Sequence, residues 1–503
     1  MSNLILAAPA LLPIAGGMAI LCMHRYRKTE QEDRAYRKLT LFAGGVTALN
    51  SLLILWLLLH EREPEFLVLF RLYGDLKVMF RVDKMGSVFL ALIAFLWPLA
   101  VLYTVEYMKK EERRESFFAY YLMTYGVTAG IACSGNLVTM YLFYELLTLV
   151  TFPLVLHPMT KEAVRASRKY LYYSIGGAAF AFIGLVFVLN FSVTGNTEFI
   201  PGGVMGEAAG SMRGTLLFVY VLAFFGFGVK AALFPCHGWL PKATVAPTPV
   251  TALLHAVAVV KSGAFAILRL TYYSFGTKFL RGSWAQWMLM GAAMVTIVFG
   301  STMAVKEIHW KRRLAYSTIS NLSYILLGAS MMSPLGLAAA LSHMVFHAFM
   351  KICSFFCAGA VMHQTGKTYV YEIDGLGRRM PVTFGCLTAA SLSLIGIPLF
   401  AGFISKWNLV QASFECGRRL GPLPYAGAAV ILYSALMTAV YMMTVLVRAY
   451  FPKEGNGQEE LAASDPNWMM TVPLLIFAAV LVGFGLYSGP LMVWLTAVGG
   501  EAG

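Results

Sequence analysis

The stretch Phe227–Arg269 reads FGVKAALFPCHGWLPKATVAPTPVTALLHAVAVVKSGAFAILR and joins two apolar runs, near residues 214–235 and 250–272. Each run is long enough to cross a bilayer, which takes about 20 residues. Lys230 lies near the end of the first run and Lys261 near the centre of the second. A charge at the membrane centre costs about 2.5–3.5 kcal/mol on insertion scales and usually marks a functional site. The stretch therefore predicts membrane helices with ionisable side chains in their interior.

The composition of the whole chain points the same way. Of its 503 residues 58% are hydrophobic and 13% are charged, and the mean hydropathy is +0.68. Soluble domains are roughly half apolar and a quarter charged, which excludes an ordinary soluble enzyme. Apolar runs occur near residues 3–23, 39–59, 85–107, 116–134, 136–157, 169–194, 214–235, 250–272, 283–303, 314–333, 335–362, 381–411, 427–450 and 467–487. We predict an all-α, multi-pass membrane protein with about fourteen transmembrane helices.

The net charge of +14 would suggest a nucleic-acid partner in a soluble protein. Here most Lys and Arg residues lie in connections that follow odd-numbered apolar runs. Because cytoplasmic loops of membrane proteins are enriched in Lys and Arg, both termini are predicted on the outer side of the cell (inner) membrane. We expect no nucleic-acid partner.

Cofactor signatures are missing from the sequence. The seven cysteines form no CxxC pair, and neither a Rossmann nor a P-loop fingerprint occurs. We expect no cofactor and no metal in this chain, so any electron transfer would belong to partner subunits.

Several further ionisable residues lie inside apolar runs. Glu145 is the only one of the 25 acidic residues near the middle of a run, and His255 lies six residues before Lys261. In the eleventh run His343, His347 and Lys351 follow each other at intervals of four, which places them on one helix face in steps of about 6 Å. That spacing is too long for direct hydrogen bonds, so water must intervene if protons move along this histidine stripe.

Two apolar runs are interrupted. The seventh ends at Leu233-Phe234-Pro235, five residues after Lys230, and the twelfth contains Gly396-Ile397-Pro398, shortly before Lys406. Paired broken helices in the two halves of a chain indicate an internal repeat with its site at the breaks, where free backbone groups favour water. Desolvation lowers the pKa of a buried lysine, and a nearby carboxylate raises it again. A lysine that alternates between these two environments can therefore bind and release a proton.

Outside the membrane, residues 76–83 alternate apolar with polar side chains after a Gly74-Asp75 turn and predict an external β-hairpin. The glycine-rich residues 195–213 and the charged residues 453–466 are interpreted as exposed loops.

Four stretches resemble a known family: Phe227–Arg269, KRRLAYSTISNLSYILLG (Lys311–Gly328), HMVFHAFMKICSFFCAGA (His343–Ala360) and LSLIGIPLFAGFISKW (Leu392–Trp407). They are similar, in the same order, to the antiporter-like subunits of respiratory complex I, Mrp cation/proton antiporters and membrane-bound energy-converting hydrogenases. The resemblance covers roughly residues 65–450.

The resemblance implies fourteen core helices with two inverted five-helix repeats and broken helices 7 and 12. The expected units are an N-terminal part with three helices and the hairpin (1–115), a first repeat (116–272), a second repeat (273–450) and a C-terminal loop with the last helix (451–503). It also implies that Glu145 pairs with Lys230, that His255, Lys261, His343 and His347 connect the two halves, and that Lys406 is the terminal lysine. Lys351 lies in the stretch His343–Ala360, which is similar to the same family.

The favoured function is a proton-translocating, non-redox membrane subunit of a complex I-like or hydrogenase-like machine, held among other membrane subunits. One alternative is a subunit of an Mrp-type Na⁺/H⁺ antiporter, with Na⁺ as a further ion. A structural subunit without an ion path and a self-sufficient transporter of an organic solute are alternatives of other classes. The sequence leaves the parent complex and the direction of transport open.

Overall fold

The computed structural model describes residues 3–24, 32–60, 65–74, 76–193, 195–206, 208–452 and 463–502. The helices are α1 (Ala8–His24), α2 (Glu32–His60), α3 (Lys84–Tyr107), α4 (Arg114–Ala132), α5 (Leu137–Leu156), α6 (Lys161–Phe191), α7 (Ala208–Ser211), α8 (Arg213–Gly228), α9 (Thr248–Ala256), α10 (Val259–Arg269), α11 (Thr277–Leu280), α12 (Trp284–Lys306), α13 (Trp310–Ser330), α14 (Pro334–Thr365), α15 (Leu376–Arg379), α16 (Pro381–Ile395), α17 (Ala401–Leu420), α18 (Leu423–Tyr450), α19 (Trp468–Leu486) and α20 (Gly489–Ala502). A π-helical turn, Leu270–Phe275, extends α10, and the strands are β1 (Phe66–Tyr73) and β2 (Leu76–Arg81).

The predicted all-helical membrane fold is confirmed. Among the described residues, ten helices or helix pairs are long and apolar enough to cross a membrane, and α8 and α16 are shorter apolar helices. The helix α13 is less apolar because it contains four serines, an asparagine and two tyrosines, and nearly all of its residues are buried inside the protein. The count of fourteen and the two inverted repeats are consistent with this arrangement and stay predictions.

The helix α14 forms the centre of the fold. Its start follows from the sequence, since Ser333 caps the helix by accepting from the amide of Gly336 at 3.0 Å and Pro334 occupies the first turn. The helix ends before Gly366, whose φ angle of 71° is one that glycine adopts without strain. Both α14 and the pair α9–α10 are buried on all sides over a membrane-length stretch. The histidine stripe therefore faces protein and not lipid.

Both predicted helix breaks are present, and a third was missed. The seventh span stops at Gly228 and continues as turns, and α16 stops at Ile395 before α17 begins at Ala401. The eighth apolar run, predicted as one helix, divides into α9 and α10 at Val257 and Ala258. No proline or glycine occupies that position, so tertiary packing decides this break.

The predicted hairpin is confirmed, with β1 and β2 paired antiparallel; Asp75 of its turn lies outside the described residues. The interpretation of residues 195–213 as an exposed loop is wrong for its central part. The side chain of Phe199 is buried, and the amides of Gly202 and Val204 donate to the carbonyls of Tyr272 and Ser274 at 3.0 and 2.9 Å. These hydrogen bonds between distant segments depend on the tertiary fold. Much of the predicted loop 453–466 lies outside the described residues.

The C-terminal helix α20 was not predicted. Its residues Leu495, Val498 and Ala502 are buried, and Gly499 packs against the backbone of Pro334 at the start of α14. The apolar residues of α20 form a stretch that is shorter than a membrane span, so hydrophobicity alone does not predict this helix.

A buried ion pair joins the start of α3 to the end of α10. The guanidinium of Arg269 donates two hydrogen bonds to the carboxylate of Asp83, at 2.5 and 2.6 Å, and the Arg269 side chain is fully buried. Asp83 also caps α3 by accepting from the amide of Gly86 at 2.8 Å. The guanidinium lies over the rings of Phe199 and Tyr273. This clamp fixes α10, and with it Lys261, against the N-terminal helices.

We expect Asp83→Ala to lower the stability of the protein by about 3–5 kcal/mol, because it leaves the buried guanidinium without its counter-charge. Glu198→Ala is the matched control. It breaks the more exposed Lys77–Glu198 pair. An exposed ion pair contributes about 0–1 kcal/mol to the free energy of unfolding. Thermal unfolding of the purified protein in detergent compares the two variants. Equal melting temperatures would contradict the clamp.

Candidate functional site

Lys230 lies directly after α8, in the first helix break, and its side chain is fully buried. Its ammonium donates to the carbonyl of Tyr144 and lies 3.4 Å from the centre of the Tyr144 ring. The side chain of Trp239 donates to the carbonyl of Val229 at 2.8 Å and so satisfies one backbone group that the break frees. The break thus holds a cation between an aromatic ring and a carbonyl.

Glu145 follows Tyr144 on α5 and is half-buried. Its Oε1 atom is buried without a hydrogen-bond partner among the described residues. The carboxylate and the Lys230 ammonium are near enough for their charges to interact, yet no ion pair joins them in the described part of the chain. The two groups of the predicted pair thus lie at neighbouring positions of the first break, where Lys230 contacts Tyr144, the residue before Glu145.

Lys261 brings the two halves of the chain together. Its ammonium nitrogen lies 2.5 Å from Nδ1 of His347, a residue of α14. The same helix α10 packs against the first break at Gly263, where a Cβ atom would lie 2.6 Å from the backbone nitrogen of Ala231. Only glycine allows that approach. The sequence did not predict this contact between two helices; the water-separated steps that it predicted concern His343, His347 and Lys351 within α14.

His347 and His343 stack along α14. Their ring centres are 5.7 Å apart and nearly parallel, as expected for residues one helical turn apart. Nδ1 of His343 lies 2.9 Å from the hydroxyl of Ser405, which belongs to α17. The Nε2 atoms of both rings are buried without a partner among the described residues. The free nitrogens can each accept or donate a proton.

Lys406 closes the second break. Its ammonium donates to the carbonyls of Leu394 and Ile395, at 2.6 and 2.9 Å, at the C-terminal end of α16. A cation at this end is favourable, because the last carbonyls of a helix carry partial negative charge. The ring of Tyr324 lies 5.6 Å from the ammonium and 5.0 Å from the ring of His343. Tyr324 therefore lies between the stripe and the terminal lysine.

His255 and Lys351 complete the set. His255 ends α9, its ring packs 4.8 Å from that of Phe355, and neither ring nitrogen has a partner among the described residues. Lys351 is fully buried and donates to the hydroxyl of Ser317 at 2.6 Å and to the carbonyl of Leu314 at 3.2 Å.

The structure thus brings the eight predicted residues into one buried band. Within this band Glu145 and Lys230 lie at the first break, Lys261 contacts His347, His347 stacks on His343, and the ring of Tyr324 contacts both His343 and Lys406. Sequence reasoning missed Tyr144, Gly263, Ser317, Tyr324 and Ser405. These residues are common in membrane helices, and no pattern in a single sequence distinguishes the ones that contact a buried lysine.

Family models match most of the chain. Residues 134–432 match the family described as "NADH:quinone oxidoreductase/Mrp antiporter, TM", and residues 73–118 match the "NADH-Ubiquinone oxidoreductase (complex I), chain 5 N-terminus". The chain belongs to this family. The matched region contains all eight residues of the buried band.

The similar proteins are of two kinds. NADH-quinone oxidoreductase subunit N of Desulforudis audaxviator (strain MP104C) is 33% identical over 429 residues, which cover 81% of each chain. The A/B polypeptide of a probable K⁺/H⁺ antiporter of Rhizobium meliloti (strain 1021) is 31% identical over 80% of this chain. The A1 polypeptide of a Na⁺/H⁺ antiporter of Staphylococcus aureus (strain Newman) is 28% identical over 82%. The match spans only 40% and 52% of the length of these two antiporter polypeptides.

Two solved structures share the fold. A chain of the membrane-bound sulfane sulfur reductase, an archaeal respiratory membrane complex, superposes with a TM-score of 0.84 at 24% identity, covering 100% of this chain and 98% of that one. A chain of the Mrp complex from Dietzia sp. DQ12-45-1b superposes with a TM-score of 0.82 at 20% identity, covering 99% and 97%. As a family member, this chain is a multi-span membrane protein whose structural neighbours are parts of multisubunit membrane complexes.

Proposed function

We propose that this chain is a proton-translocating, antiporter-like subunit of a multisubunit ion-pumping membrane complex. The observation that carries the proposal is the contact of Lys261 with His347, which joins the predicted first repeat to the second inside a band of buried cations and histidines. Burying four lysines away from water is costly, which favours a functional role over a purely structural one.

The proposed mechanism moves one proton at a time along this band. Lys230, held by Tyr144 and facing the Glu145 charge, loads the proton at the first break. Lys261 as an ammonium gives its proton to Nδ1 of His347 and becomes a neutral amine, and the imidazolium that forms releases the proton on its Nε2 toward His343. Lys406 receives the proton at the second break. His255 and Lys351 adjoin this route.

Partners follow from the family. The chain works beside other membrane subunits in the cell (inner) membrane, with both termini on the outer side and H⁺ as the transported ion. The chain itself supplies no cofactor in this proposal, and any redox step takes place in partner subunits. A second candidate, a subunit of an Mrp-type cation/proton antiporter, is favoured by the antiporter names of two relatives and by the Mrp fold match. The subunits that co-purify with the chain, identified by mass spectrometry, distinguish the two.

Proton transport tests the function directly. We expect Lys261→Met, which keeps an unbranched apolar side chain but removes the charge, to lower proton uptake at least tenfold in inverted membrane vesicles that contain the whole complex. Lys278→Met, at an exposed position of α11, is the control and should transport normally. A blue-native gel checks assembly of both variants. Normal transport by an assembled Lys261→Met complex would favour a structural subunit without an ion path.

The stripe should carry protons without being indispensable. We expect His347→Ala to slow proton uptake several-fold without stopping it, because water that enters the vacated space can replace one member of a relay. The measurement is the initial rate of proton uptake per assembled complex. Complete loss, or no change at all, would contradict a relay through this histidine.

A further inference from the structure

A chain of hydroxyl groups leaves Lys351 on the side of α13 and α18. The Lys351 ammonium donates to the hydroxyl of Ser317, which lies 2.5 Å from the hydroxyl of Tyr441. Tyr441 in turn donates to the hydroxyl of Thr438 at 3.2 Å. Each of these side chains is at most 1% exposed. A continuous hydrogen-bonded chain of this kind is unusual, because most hydrogen bonds of side chains go to the backbone or to water.

The chain has a direction. Lys351 carries no acceptor when charged and Tyr441 donates to Thr438, so Ser317 accepts from Lys351 and donates to Tyr441. Thr438 ends the series by donating to the carbonyl of Ser434 at 2.7 Å. All donors thus point away from the lysine. Bonds in such a series polarise one another, which strengthens the interaction with an ammonium at its start.

Three polar atoms without partners lie near the hydroxyl series and the histidine stripe, since Asn321 bonds the carbonyl of Ser317 and the ring of Tyr324 packs against His343. Oδ1 of Asn321, the hydroxyl of Tyr324 and Nε2 of His343 are all buried and have no hydrogen-bond partner among the described residues. The Tyr324 hydroxyl lies close to Ser434. Buried polar groups without a protein partner are normally satisfied by ordered water. The route proposed below therefore includes one ordered water between Thr438 and Tyr324.

We propose, resting on the proposed function above, that Ser317, Tyr441, Thr438 and Tyr324 form a hydroxyl branch, a second proton route from Lys351 to Lys406 that runs parallel to the histidine stripe. Tyr324 serves as its end, since its ring contacts both His343 and Lys406. Lys351 lies one helical turn after His347 on α14, so the two routes begin at His347, which receives its proton from Lys261, and end at Lys406.

The proton count along the branch balances. The Lys351 ammonium gives one proton to Ser317 and becomes a neutral amine, while Ser317 passes its own hydroxyl proton to Tyr441 and Tyr441 passes its proton to Thr438. The Thr438 hydroxyl turns away from the Ser434 carbonyl and gives its proton to the water, and Tyr324 takes up one proton from that water while releasing its own to the neutral amine of Lys406. No hydroxyl stays charged, and one proton has moved from Lys351 to Lys406. Each hydroxyl then rotates to restore the starting orientation.

Rates of double variants distinguish parallel routes from a single one. Tyr441→Phe removes one hydroxyl and keeps the ring, and we expect it to slow proton uptake about twofold; His343→Ala, which interrupts the other route, should slow uptake by a similar factor. The double variant should lose much more than the product of the two factors, at least tenfold in all. Independent effects would instead multiply.

The matched control is Tyr433→Phe. Tyr433 lies on the same helix α18, and its hydroxyl bonds Thr302 at 2.8 Å on the exposed face. We expect this variant, alone or with His343→Ala, to add no further loss. Ser317→Ala repeats the test should the Tyr441 variant fail to assemble on a blue-native gel.

Two results would overturn the hydroxyl branch and leave the proposed function intact. One is a double variant whose proton uptake falls only by the product of the two single factors. The other is a Tyr441→Phe substitution that does not change proton uptake, either alone or together with His343→Ala. An assembled Lys261→Met complex with normal transport would overturn the proposed function itself.

Discussion

Replacing Lys230 with alanine is expected to abolish most proton transport while the complex still assembles, and Glu145→Ala should do the same. Lys230 is the cation of the first break, and its removal leaves the half-buried Glu145 carboxylate, which already has an unpartnered oxygen, without the positive charge that stabilises it. The two residues act as a pair, so loss of either stops loading of the proton. Proton uptake by inverted vesicles, normalised to the amount of assembled complex, measures the effect.

The control for these variants is Lys161→Ala, at an exposed position in the first turn of α6. It removes the same charge from the surface and should transport normally. Lys230→Arg is informative as well, because it keeps the charge and the contact with the Tyr144 ring but cannot release a proton. Near wild-type transport by Lys230→Ala or by Glu145→Ala would show that the pair does not load protons.

Lys406→Arg should block turnover nearly as severely as Lys406→Ala. The guanidinium can still donate to the carbonyls of Leu394 and Ile395 at the end of α16, so the second break keeps its cation and the protein its structure. The guanidinium stays protonated at any accessible pH, since its pKa exceeds about 12. A terminal group that cannot discharge stops the relay. Transport by both variants in the same vesicle preparation provides the measurement.

A structural lysine predicts the opposite order for this position. If Lys406 only satisfies carbonyls at the break, arginine restores function and alanine does not, and the Lys406→Arg complex transports protons at a normal rate. Lys278→Arg, on the exposed side of α11, controls for the substitution itself.

Much of the fold could be predicted because membrane insertion acts on single segments. A long apolar run in a bilayer has to satisfy its backbone within the run, which requires a helix and makes the spans and the breaks at Pro235 and Gly396 visible in the sequence. The cost of a buried charge likewise singles out Glu145, Lys230 and Lys406 without any knowledge of their neighbours.

Only the tertiary structure decided which of these groups meet. Lys261 and His347 are far apart in the chain, and only the packing of helices brings them into contact. Glycine at position 263 in turn lets α10 approach the first break. The division of the eighth span, the position of Tyr324 between the stripe and Lys406, and the hydroxyl chain from Lys351 depend in the same way on how helices pack. The sequence by itself determined that protonatable groups are buried in membrane helices, since the cost of burial is set residue by residue. The order in which these groups can pass on a proton depends on the distances between helices. No single segment of the chain determines those distances.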